Sequence, residues 1–167
     1  MAEGRGERLA VELEVATRRL VELLEGLSRE QWRLGGANAP GWDYGEDELR
    51  TIGQIALHTA HQHLVQMEIA KGAAEGRIAQ LAGPSNQQEA AANPDPDPKQ
   101  VIRLLDTNCA TAASMLRGLS DEQLDHALTF RGWTMTALEL AEQAQIGHVL
   151  WHTASIKAAL DAVKGCG

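Results

Sequence analysis

The chain has 167 residues, 44% of them hydrophobic, which is enough to bury one core and makes a single domain spanning 1–167 the expectation. Aromatics make up only 4% while Ala, Leu, Glu and Gln abound, so helix is favoured over sheet. A formal net charge of −8 gives no help to a phosphate-binding surface and argues against nucleic acid as a partner. No stretch has the length and apolarity of a membrane span, and MAEGRGERLAVE lacks the apolar centre of a signal peptide. A cytoplasmic protein without a membrane partner is expected. Its two cysteines are too few for a disulfide framework and form no CxxC. Cys109 reads as a small buried hydrophobe, and Cys166 belongs to a 164–167 tail without order.

In chain order, Leu9, Val11, Leu13, Ala16, Leu20, Leu23 and Leu24 recur among charges, so the spacing predicts an amphipathic helix from about Glu7 to Glu25 with Gly26 as its C-cap. Ser28 precedes Gln31 by three positions, a capping box that opens a short turn and packs Trp32 back onto the core. Residues 34–50 hold four glycines and a proline and read as a loop, with the acidic run Asp43 to Glu48 solvated. Thr51 and Gln54 form a second box, opening a long helix that ends between Gly72 and Ala82. The prolines of 83–98 predict an irregular surface connection. A third helix follows from about Pro98 to Arg117, closed by Gly118, with Val101, Leu104, Leu105, Ala112, Met115 and Leu116 as its inner stripe.

GLSDEQL then repeats GLSREQW. Each is a glycine, a leucine and a Ser-x-x-Gln box, and each leads through a loop to Gly-Trp, at Gly41-Trp42 and at Gly132-Trp133. Each Gly-Trp precedes a threonine box, at Thr51 or Thr136, that opens a long histidine-bearing helix. Two copies of one helix, loop, helix unit make an all-α four-helix bundle with approximate two-fold symmetry.

The histidines carry the chemistry. His148 and His152 lie one turn apart on one helix face, within reach of one metal ion, and a third ligand comes from the segment bearing His58, His61 and His63. His58 shares a side with apolar neighbours, and His61 is its rival on roughly the same face. His63 falls well round the helix and reads as solvated or as a support for a ligand; His126 reads as polar surface. Gln62 and Gln145, one turn from His58 and His148, are candidates to orient a water or an imidazole. Trp42, Trp133 and Trp151 read as core plugs, the first two also as lining for a pocket mouth. Three neutral imidazoles would leave coordination positions open, as catalytic sites do. No Ser/His/Asp set, phosphate loop or DNA-reading module is found.

The threonine-opened helix with a histidine seven residues in, the GLS turn, the second threonine-opened helix and the closing HxxxH resemble the DinB-like (YfiT-like) superfamily of metalloenzymes, over nearly the whole chain. The resemblance implies a four-helix bundle, a homodimer, and a divalent ion (nickel, zinc or iron) on His58, His148 and His152. It also implies a thiol-dependent transferase, since relatives use bacillithiol, mycothiol or glutathione with a small-molecule substrate. Many members follow the last histidine with Arg-Gly-Gln, where this chain has Thr153, Ala154 and Ser155, so an arginine for an acidic thiol is not carried over. A water on the same centre would instead make a hydrolase, and an ion that only stabilises the bundle would make a non-catalytic binding protein.

Overall fold

The structure, a computed structural model, describes residues 4–41, 46–78, 84–130 and 133–164, without the side chains of residues 130 and 133. Four long helical segments form the body: α1 (Arg5–Glu25), α3 (Ile52–Ala74), α5 (Pro98–Arg117) and a last one made of α7 (Ala137–Glu139), a π-helical stretch (Leu140–Ile146) and α8 (Gly147–Lys164). Between them lie α2 (Arg29–Trp32), a 3₁₀ turn (Asp47–Leu49), α4 (Asn86–Ala92), α6 (Asp121–Leu124) and a hairpin of β1 (Ala127–Phe130) and β2 (Trp133–Thr136). Both α1 and α3 pack against α5 on one side and against the last helix on the other. The two histidine-bearing helices, α3 and α8, are thereby neighbours. Leu9, Leu13, Leu20, Ile52, Ile55, Leu105, Leu116 and Ile156 fill the shared core, all fully buried.

The local rules explain the boundaries. Ser28, Thr51, Ser120 and Thr136 each accept from the backbone N–H three residues on, and the Gln or Glu there bonds back. The internal repeat extends to the backbone: Ile52 N–H donates to Leu34 O and Ala137 N–H to His126 O, both at 2.9 Å, so each cap threonine is tied to the short helix before it. The halves differ in what intervenes. The second half closes with the β1–β2 hairpin, pairing Ala127 with Thr136, where a plain loop is expected; the first has, among the described residues, a single bridge, Gly35 to Thr51, and a longer excursion bearing the 3₁₀ turn. Thr129 and Thr134 face each other across the hairpin, their hydroxyls 2.8 Å apart, as alternating β-branched residues favour.

Two expectations are corrected. The 83–98 connection is not irregular throughout, because Ser85 and Gln88 form a further capping box that starts α4. The prolines at 94 and 96 lie beyond its end, and Pro98 opens α5. The last helix is not α-helical throughout either. From Leu140 to Ile146 it is π-helical, and Gly147 N–H reaches five residues back to Glu142 O. Trp32 packs inward as expected, 2% exposed, and its Nε1 donates to Pro96 O at 2.8 Å. Trp42, Cys166 and Asp43 lie outside the described residues. Among the described residues no helix is long and apolar enough to cross a membrane.

Candidate metal centre

His58 is carried by α3, and α8 carries His148 and His152 at a four-residue spacing. The three rings meet: their centroids are 5.3 Å apart for His58 and His148, 5.2 Å for His58 and His152, and 4.3 Å for His148 and His152. One nitrogen from each ring lies within 4.8 Å of the other two. His58 and His152 are buried, and His148 is half-buried.

Carboxylates that the sequence did not reveal hold the outer edges of two rings. His58 Nδ1–H donates to Glu89 Oε2 at 2.9 Å, and His152 Nδ1–H donates to Asp47 Oδ2 at 2.8 Å. Each bond fixes the neutral tautomer whose Nε2 lone pair faces the centre. His148 Nε2 lies 3.1 Å from His152 Nε2, a distance at which a proton or a cation must sit between two acceptors.

The electrostatics disfavour a proton on two of the three rings. Burial pushes His148 down to about 2, helped by its neighbours His152 and His58, and burial likewise lowers His58. Burial alone would raise Asp47 and Glu89. The hydrogen bond and charge of His152 outweigh it for Asp47, and the bonds from His58 and His61 outweigh it for Glu89, so both carboxyls fall to about 2. The result is three imidazoles with free lone pairs beside two fixed anions, a donor set that fits a divalent cation.

The remaining candidates separate clearly. His61 stays outside the cluster; its side chain is 44% exposed and its Nδ1 donates to the other oxygen of Glu89. His63, expected to be solvated or supporting, is 2% exposed against α1, with Nε2 3.3 Å from Thr17 Oγ1. His126 is exposed and donates from Nδ1 to Ala74 O at 2.7 Å. Gln62 accepts from Gln66, and Gln145 donates to His63 O, so the ring-orienting positions belong to Asp47 and Glu89 instead. Asp47 corrects the reading of an entirely solvated acidic run, for it is fully buried, with its Oδ1 on Arg50 Nη2 at 2.5 Å. Glu89 had a legible signal in the Ser85 box that makes α4 a helix; Asp47 had none, since its burial depends on where the 3₁₀ turn folds. Cys109 is buried as expected.

Two solved structures share the architecture: the crystal structure of the mycothiol-dependent maleylpyruvate isomerase, with a TM-score of 0.67, and that of a histidine-to-alanine mutant of the enzyme, at 0.66. Each is 17% identical and matches 90% of this chain, which spans 60% of that enzyme's length. Among curated proteins none matches. The family model of the DinB superfamily matches residues 12–156, from the middle of α1 into α8 and across all three converging histidines, and the chain therefore belongs to that superfamily.

Proposed function

We propose that the chain is a metal-dependent enzyme in which His58, His148 and His152 hold a divalent ion and a small thiol is the nucleophile. The observation that carries this reading is the convergence of three imidazoles, two of them held by the carboxylates of Glu89 and Asp47 in the tautomer that ligation needs. When bound, such an ion supplies Lewis acidity that lowers the pKa of a thiol or water at its open position. Everything else is work for the chain itself. Glu89 and Asp47 orient the rings and balance part of the ion's charge. Burial of His58 and His152 excludes bulk water, and burial disfavours a proton on His148 and on His58. The name of the isomerase of like fold records dependence on a thiol, which supports the choice of nucleophile for this chain.

The test is metal analysis of protein purified without a histidine tag, followed by assay of thiol consumption with a model electrophile. Wild type is expected to carry close to one zinc, nickel or iron per chain and to accelerate thiol consumption. His152→Ala should lose the metal and the activity while keeping its helical circular dichroism. A His152→Ala protein with full metal content and full turnover would remove the proposal.

A further inference from the structure

Arg50 is a cation closed inside the protein beside the converging histidines. It is 4% exposed, and its Nη2 donates to Asp47 Oδ1, while the other oxygen of Asp47 accepts from His152 Nδ1. Its Nε and Nη1, which carry three of the five N–H groups of a guanidinium, are sealed from solvent and meet no acceptor among the described residues. A guanidinium stays charged at any relevant pH, and buried N–H groups without a partner are costly. Stability alone does not account for such a group.

Neither does the orientation of Asp47. Its carboxyl is also held by the Ser155 hydroxyl, and its backbone N–H donates to Asn38 Oδ1 at 3.2 Å. What the guanidinium adds is charge, and that charge is felt beyond Asp47, for it disfavours a proton on His58. Shut away from water, it acts with a strength that a surface arginine lacks.

The charges of the centre can be counted. Histidines ligate as neutral imidazoles. Asp47 and Glu89, each bonded to one of the rings, together cancel the two charges of a divalent ion. His61 also bonds to Glu89, but its side chain is 44% exposed and solvent screens it. Arg50 then leaves one positive charge over in a largely buried site, where a net charge is unfavourable.

We propose that Arg50 is a fixed counter-charge that makes the loaded centre take a small monoanion, in preference to a neutral ligand, at its open coordination position. The inference rests on the reading of the triad as a metal centre and deepens it: the favoured ligand is a thiolate, not a neutral thiol. Arg50 is a positioning residue here, acting through the field of its charge and not by contact.

The full chain is loaded with cobalt(II) and titrated at one neutral pH with azide, an anion, and with imidazole, a neutral nitrogen ligand, each followed in the visible spectrum. Zinc affinity is measured in parallel by competition with a chelator. Arg50→Met is expected to lower the ratio of azide to imidazole affinity about tenfold, while zinc binds at least as tightly as in wild type. Arg50→Lys, which keeps the charge, should keep the wild-type ratio. A merely structural Arg50 predicts otherwise, because a slackened Asp47 weakens zinc, azide and imidazole together. Should Arg50→Met fail to fold, Asp47→Asn and the double variant Asp47→Asn/Arg50→Met make the same comparison without stranding the Asp47 carboxylate, and the double variant should fall about tenfold below the single one in that ratio. A ratio that Arg50→Met leaves unchanged, that Arg50→Lys fails to keep or that the double variant shares with Asp47→Asn would overturn the assignment, as would zinc affinity that falls in Arg50→Met. Wild type that takes up neither zinc nor cobalt sinks the metal centre, whereas zinc uptake with a ratio indifferent to Arg50 sinks the counter-charge alone.

Discussion

A buried imidazole is neutral or it is costly, and His63 shows the cost most plainly because it is not one of the converging three. Burial lowers it to about 4, against an ordinary value near 6.5, so in the interval between those pH values the unfolded chain binds a proton that the folded chain refuses. Stability must then fall as pH drops from about 6.5 to 4, by roughly 3 kcal/mol from this residue. Urea unfolding of metal-free protein across that range should show a visibly flatter pH dependence for His63→Leu than for wild type; equal slopes would refute the assignment. Glu89 and Asp47 make a second prediction at this scale. Glu89→Gln keeps the shape of the side chain but loses the charge behind His58, and zinc affinity is expected to drop about 10- to 100-fold with the fold intact, measured by competition with a chelator. The three converging histidines were legible because helical periodicity fixes which residues share a face. Their carboxylate partners come from 3₁₀ and α4 segments whose placement is tertiary, and no periodicity reaches across 31 residues from His58 to Glu89 or 105 from Asp47 to His152.

Among the elements, the short ones do the positioning. The four-residue α2 ends in Trp32, whose indole lies against the backbone of α3 at Gly53 and donates to Pro96 O just before α5. It pins the chain that leaves α4 against the start of α3. A Cβ at Gly53 would run into the indole nitrogen, so Gly53→Ala is expected to destabilise the protein by about 1–3 kcal/mol through overpacking, read as a lowered urea midpoint. An unchanged midpoint would show that the indole can move aside at no cost. The element α4 itself has no buried residue and is tied down by polar links, from Gln54 to Ala90 O and Asn93 O and from Glu89 to the two histidines. That explains why reading the segment for an apolar stripe missed it. Its helix comes from a capping box and an alanine run, and its place in the molecule comes from hydrogen bonds. The long helices were legible for the opposite reason, since their apolar stripes are what the core requires.

At the scale of the whole molecule, a repeated frame carries an unrepeated site. The two halves share their order of long helix, capped turn and threonine-opened helix, but among the described residues only the first has the excursion with Asp47 and Arg50, and only the second has a π-helical stretch. The proposed centre draws on α3 and α8 and so needs both halves docked; a metal held there would stabilise the whole bundle, not one half. The π-helical stretch has a consequence of its own. Residues before it answer to the hairpin and the Thr136 cap, and residues after it answer to the imidazoles, so the two groups keep different angular phases along one rod. Removing a single residue there, for example Ala144, would merge the phases and swing one group by about 100° relative to the other. The shortened protein should retain its circular dichroism and lose its zinc; zinc retained at full occupancy would mean the rod absorbs the missing residue elsewhere. Seen this way, the seven residues act as a vernier, by which a lineage could set or unset the ion's cradle through length alone, leaving every ligand in place.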